Sequence, residues 1–145
     1  MTTWIEIKKI HPDAILPKYA HKGDSGMDLY SIIDHTLKPF ERIAVPTGLE
    51  LAIPEGYEGQ VRPKSGLALR YGLTMPNSPG TIDSGYRGEL KVLVINLDPK
   101  KDYQIKKGEK IAQISFSRVE EVIIREVSEL DETERGKGGF GSTGK

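Results

Sequence analysis

Apolar residues in this chain fall in short patches rich in β-branched and aromatic side chains, separated at close intervals by glycine and proline. No window of about a dozen residues holds the period of an amphipathic helix, and nine prolines between Pro12 and Pro99 interrupt any attempt at one. The pattern predicts strands at Trp4–Ile10, Met27–Ser31, Arg42–Val45, Leu49–Ile53, Gly59–Arg62, Leu90–Leu97, Tyr103–Ile105, Ile111–Phe116 and Val119–Val127. An all-β sandwich, barrel or jelly roll accommodates them. One short helix is predicted at SGLALRYG, with Ser65 as its cap, Leu67 and Tyr71 on one face and Gly72 as its stop. Residues 1–134 read as one β domain. From Arg135 to Lys145 the sequence RGKGGFGSTGK carries five glycines and one large apolar side chain, Phe140, too little to order the segment through its own burial. It reads as a flexible arm that folds over something else.

Composition narrows the classes. A chain of 145 residues that is 37% hydrophobic supports one packed core. Its 21 basic and 21 acidic residues cancel, which argues against a general nucleic-acid coat or a membrane-surface binder, since both need standing positive charge. Absence of cysteine removes disulfides, thiolate nucleophiles and thiolate metal sites, and fits a reducing compartment. The opening MTTWIEIKKI carries Glu6, Lys8 and Lys9 where a secretory signal is apolar, and no later run approaches a membrane span, so a cytoplasmic location is expected. His11, His21 and His35 are too scattered for a histidine metal cage, which leaves a carboxylate as the expected catalytic base.

Five segments carry candidate chemistry. Gly139–Lys145 reads GFGSTGK and matches the first seven positions of a phosphate loop, but such a loop needs a preceding strand and a following hydroxyl and helix. The arm still offers bare amides, the hydroxyls of Ser142 and Thr143, the cation of Arg135 and the aromatic plate of Phe140, which together resemble a nucleotide lid. In VRPKSGLALRYG, Arg62 and Lys64 precede the short helix, where they either converge with its amides on an anion or stand as solvated surface cations. Pro76, Asn77, Pro79 and Gly80 bend the chain into Thr81–Tyr86, the first limb and tip of a predicted hairpin returning through Leu90–Leu97. Asp83 near its tip either orients a water or only forms the turn. Asp28 in SGMDLYS faces away from its apolar neighbours and is expected to be solvated, and Gln113 follows the Gly108 turn on a strand.

In their order, SGMDLYS, PKSGLA, GTIDSGYRGE, GEKIAQI and RGKGGFGSTG resemble the five motifs of the trimeric deoxyuridine triphosphatase (dUTPase) family, across residues 25–144. The resemblance implies a jelly-roll-like distorted β-barrel in a homotrimer, with active sites shared between subunits and closed by a neighbour's arm. It implies magnesium-assisted hydrolysis of dUTP to dUMP and pyrophosphate, which keeps uracil out of DNA. Asp83 matches the aspartate that deprotonates the water attacking the α-phosphorus, and Tyr86 the tyrosine lying against the deoxyribose. The backbone from Thr81 and Ile82 to Lys91, with Asn77, matches the uracil-reading hairpin, which rejects cytosine by its hydrogen-bonding edge and thymine by its methyl. Lys64, Ser65 and Gly66 match the phosphate-binding trio, Gln113 the motif-four glutamine, and Arg135, Phe140, Gly141, Ser142 and Thr143 the lid. Asp28 matches the aspartate that holds magnesium's water shell.

Two positions depart from the family pattern. Lys64 stands where the motif reads PRSG, turning a forked donor into a point charge, and Glu109 and Lys110 stand where it reads GDRIAQ. Two rivals remain at this stage, a dCTP deaminase of the same fold and a non-catalytic nucleotide-sensing trimer.

Overall fold

The computed structural model describes residues 2–144. Ten strands and one helix follow in the order β1 (Glu6–Lys9), β2 (Met27–Tyr30), β3 (His35–Leu37), β4 (Arg42–Ala52), β5 (Tyr57–Arg62), α1 (Ser65–Tyr71), β6 (Leu73–Thr74), β7 (Gly80–Ile82), β8 (Glu89–Asn96), β9 (Tyr103–Ile105) and β10 (Lys110–Arg118). One sheet has the order β1-β4-β8-β6 and a second β2-β10-β5-β7, with every pairing antiparallel, while β3 and β9 form a two-stranded ribbon. This is the expected all-β, jelly-roll-like architecture with one short helix. No helix among the described residues is long and apolar enough to cross a membrane.

The core lies between the sheets, and alternation puts it there. Along β8, Leu90, Val92, Val94 and Asn96 point inward and are buried, while Lys91 is exposed. Leu29 of β2, Val45, Leu49 and Leu51 of β4, Val61 of β5 and Ile114 of β10 meet them. Asn96 is fully buried because its amide works as a backbone clamp. Its Nδ2 donates to the Leu37 carbonyl (3.1 Å) and the Lys101 carbonyl (2.8 Å), and its Oδ1 accepts from the Asp98 amide (2.9 Å). It therefore stitches β8 to the β3–β9 ribbon.

Several expectations change. β4 is one strand, where Pro46-Thr47-Gly48 suggests a break. A register shift between Pro46 and Glu50 absorbs these residues, and Gly48 adopts φ +70° where a side chain would collide with His11 and Ala14. β3 and β6 escape prediction because two or three residues are too few to show alternation. β7 and β8 do not close a hairpin. β7 pairs with β5 in one sheet and β8 with β4 and β6 in the other, so residues 83–88 cross between sheets. Val119–Val127 is no strand: Val122, Ile123 and Ile124 are exposed, and among the described residues no strand pairs beyond Arg118, because the β10–β5 ladder ends there at Tyr57, where β5 begins. Lys64, not Ser65, holds the helix N-cap position and makes no side-chain cap, and the helix ends at Gly72 (φ +67°) as read.

Replacing Asn96 by alanine is expected to destabilise the fold by about 2–4 kcal/mol, at about 1 kcal/mol for each lost bond plus the unsatisfied carbonyls. Urea unfolding of Asn96→Ala with an unchanged m-value and a lowered midpoint checks this.

Candidate active site

The residues singled out by sequence collect in three separate places. The first surrounds Asp28 on β2. Gln113 of β10 is its direct cross-strand partner, and Lys110 is paired with Tyr30, two residues along β2. Cross-strand partners share a face, and so do residues two apart on a strand, so Asp28, Tyr30, Lys110 and Gln113 face the same side. The Gln113 Nε2 donates to the Pro63 carbonyl (2.9 Å), which fixes the backbone immediately before Lys64. Gly26 makes room for it, because a methyl at that position would overlap the Gln113 amide oxygen.

Asp28 is 8% exposed and not solvated as its sequence context suggests. Lys64 Nζ donates to its Oδ1 at 2.5 Å and Lys110 Nζ to its Oδ2 at 2.9 Å. Burial pushes the Asp28 carboxyl up, but the hydrogen bonds and charges of the two lysines outweigh it and hold the group below the usual carboxylate value. The hydrogen bond and charge of Asp28 in turn hold the Lys110 ammonium above its ordinary value. Ser65 opens the helix with its side chain exposed and not used as a cap, and Gly66 follows it. Arg62, the other cation of this segment, turns along its own strand and donates to Gln60 Oε1 (2.6 Å).

The second place is the crossing between β7 and β8. Thr81 and Ile82 end β7, and Asp83 follows at the rim of an open cleft of about 640 Å³ lined also by Glu55, Tyr57 and Glu58. The bend is self-supporting. The Tyr86 amide donates to the Asp83 carbonyl (3.1 Å), the Tyr86 hydroxyl to the Glu89 carbonyl (3.0 Å), and Arg87 Nη1 to the carbonyls of Ser84 (2.7 Å) and Tyr86 (3.0 Å). Gly88 leaves space for the Tyr86 ring, and the Asn77 amide lies over Gly80. Lys91, exposed on β8, lies 3.8 Å from Glu89.

The third place is the arm. Among the described residues, every hydrogen bond made by residues 121–144 closes within that segment, as in Arg135 Nε donating to the Gly138 carbonyl (3.0 Å). Ser142 donates its amide to the Gly139 carbonyl (3.0 Å), Gly141 adopts φ +85°, and Thr143 and Phe140 are exposed. Lys145, the last residue of the phosphate-loop lookalike, lies outside the described residues.

These places do not converge within one chain. Thr81 pairs with Gln60 and Ile82 with Gly59, so Asp83 lies at the Tyr57 end of β5. Lys64 follows the Arg62 end. At about 3.3 Å per residue the five steps between these ends span roughly 16 Å. Among the described residues no group of three His, Asp or Glu side chains is placed to hold a metal ion. Asp28 already has one ammonium on each oxygen, which fits an outer-sphere role and not direct coordination.

The dUTPase family model matches residues 12–144. This chain belongs to the dUTPase family. The deoxyuridine 5'-triphosphate nucleotidohydrolase of Clostridium kluyveri is 57% identical over 138 residues, spanning 95% of this chain and 96% of the relative. That of Fusobacterium nucleatum is 54% identical, spanning 97% and 98%. Among solved structures, the dUTPase of Staphylococcus bacteriophage 80alpha with dUpNHpp is 30% identical, spans 99% of each chain and superposes with a TM-score of 0.90. A mutant dUTPase of phage phi11, 25% identical over 90% of this chain with a TM-score of 0.81, is described with a structural Mg(II) ion.

Within a dUTPase motif frame, sequence reading missed the partnership of Lys110 with Asp28. Spacing alone conceals it, because Lys110 and Gln113 are three apart and a regular strand points them to opposite faces. Arg87 is likewise unassigned by the motifs, although its guanidinium braces the bend that carries Asp83 and Tyr86.

Because the Asp28 carboxyl is held down in the folded chain, its contribution to stability is complete above the unfolded-state value near about pH 4 and is lost as pH falls through the folded value. Asp28→Asn is therefore expected to lose about 1.5–3 kcal/mol at neutral pH, the range for charged hydrogen bonds. Thermal melts should show the gap to wild type closing below about pH 4.

Proposed function

We propose that this chain hydrolyses dUTP to dUMP and pyrophosphate as a homotrimer in the cytoplasm, with each active site assembled from more than one subunit. The observation that carries the reading is the separation of complete motif groups on one chain. Asp83 and Lys64 lie at opposite ends of β5, and the arm keeps its hydrogen bonds to itself. Copies brought together complete what one chain leaves apart. The 57% identity with the Clostridium kluyveri nucleotidohydrolase, spread over nearly the whole length of both chains, supports the same substrate.

In this mechanism Asp83 orients a water and takes its proton as the water oxygen bonds to the α-phosphorus. The bond from that phosphorus to the bridging oxygen breaks, and pyrophosphate leaves. Tyr86, held by its hydroxyl on the Glu89 carbonyl, presents its ring to the deoxyribose and closes the space a 2′-hydroxyl needs. The backbone from Thr81 and Ile82 toward Lys91, with Asn77, pairs with the uracil edge, and a cytosine there leaves buried donors and acceptors unmatched. Lys64, Ser65, Gly66 and Gln113 receive the phosphates. Arg135, Phe140, Gly141, Ser142 and Thr143 close over the nucleotide and exclude water. A magnesium ion bound with the nucleotide would neutralise phosphate charge, and Asp28 is the residue that would face its water shell.

Pyrophosphate should be released from dUTP and far more slowly from dCTP, dTTP and UTP, and ammonia from dCTP would instead indicate the deaminase of the same fold. Asp83→Asn should lower kcat by at least about a thousandfold while dUTP still binds, by analogy with the loss of other general bases. Removing residues 135–145 should cripple hydrolysis and leave the melting temperature within a few degrees of the full chain. A large drop in melting temperature would mean the arm is part of the packed body.

A further inference from the structure

The two departures from the family motifs meet on one carboxylate. Lys64 takes Asp28 Oδ1 and Lys110 takes Oδ2. An arginine fork engages both oxygens of a carboxylate at once, whereas two lysines take one each, and either can let go without the other. The Lys64 and Lys110 side chains are 30% and 49% exposed against 11% for Asp28, so both lysines reach the surface while their partner stays inside. Two ammonium groups against one carboxylate leave a surplus positive charge at the mouth of the first residue group.

Burial decides what happens when an anion arrives. If Lys64 turned away from a lone Asp28, it would strand a carboxylate that is 8% exposed, and an unpaired buried charge is far costlier than a paired one. Lys110 removes that obstacle. Its placement is built into the strand: the register of β10 on β2 shifts between Lys110 and Ala112, and this bulge brings Lys110 to the face that carries Gln113.

We propose that Lys110 is a positioning residue for phosphate capture, holding Asp28 while Lys64 transfers its hydrogen bond from the carboxylate to an incoming nucleotide phosphate. The proposal rests on the reading of Lys64 as a phosphate ligand. Only hydrogen bonds exchange. The Lys64 Nζ–H bond to Oδ1 is given up, one to a phosphate oxygen forms, and no proton changes owner.

Two readouts test it, KM and kcat for dUTP, and the Kd of inorganic tripolyphosphate by titration calorimetry, which needs no turnover. Lys110→Met is expected to raise KM and the tripolyphosphate Kd roughly tenfold, with kcat within about twofold and a melting temperature lowered by no more than that of Asp28→Asn. Lys110→Arg should restore both to within about threefold of wild type. In an Asp28→Asn background, Lys110→Met should change neither by more than about twofold, because the carboxylate it serves is gone. Values for Lys110→Met within twofold of wild type overturn the proposal. So does an undiminished tenfold rise in the Asp28→Asn background, which would make Lys110 a free-standing charge. A fall in kcat matched by a fall in melting temperature would make its role structural. If wild type leaves dUTP uncut, the proposed reaction fails, while the tripolyphosphate comparison still decides the role of Lys110.

Discussion

One extra residue in β10 determines which side chains meet at Asp28. Side chains alternate along a strand, so Lys110 and Gln113 belong on opposite faces unless the register slips between them. The slip between Lys110 and Ala112 supplies that inversion. β10 lies between β2 and β5, so it joins the strand carrying Asp28 to the strand leading into Lys64. Three of the family motifs are thereby gathered by one strand and its two neighbours.

Exchanging a carboxylate shared by two lysines, together with both lysines, for apolar side chains of similar volume often costs little, although removing the carboxylate alone does not. The value of the trio lies in where it leaves positive charge. The ammonium groups stand at the surface with their counter-ion inside, and the Pro63 carbonyl is fixed by Gln113 just before one of them. The Asp83 bend has the opposite character. It is exposed, braced by backbone carbonyls that accept from Tyr86 and Arg87, and owes little to the core.

Much of this was legible in the residues. The strand positions of β1, β2, β5, β8, β9 and β10 follow from apolar patches between turn formers, and the helix ends at Gly72 for the reason its sequence suggests. The motifs single out Lys64, Asp83 and Gln113, and the structure sets Gln113 opposite Asp28 and Lys64 on that carboxylate. What could not be read depends on long-range pairing. The pattern of Val119–Val127 is that of a strand, but pairing needs a partner, and the described residues supply none. Thr81–Ile82 and Leu90–Leu97 look like limbs of one hairpin because alternation says nothing about which sheet a strand joins. Asp28 looks solvated because alternation gives its face but not what covers that face.

Gly26 shows how far such dependence extends. It is not one of the residues proposed to meet the nucleotide, yet its missing side chain is the space in which the Gln113 amide turns toward Pro63. A single methyl there would push the Gln113 amide aside and cost the hydrogen bond that holds the Pro63 carbonyl before Lys64. A mutational screen confined to positions in contact with substrate would overlook the residue whose emptiness keeps them aligned.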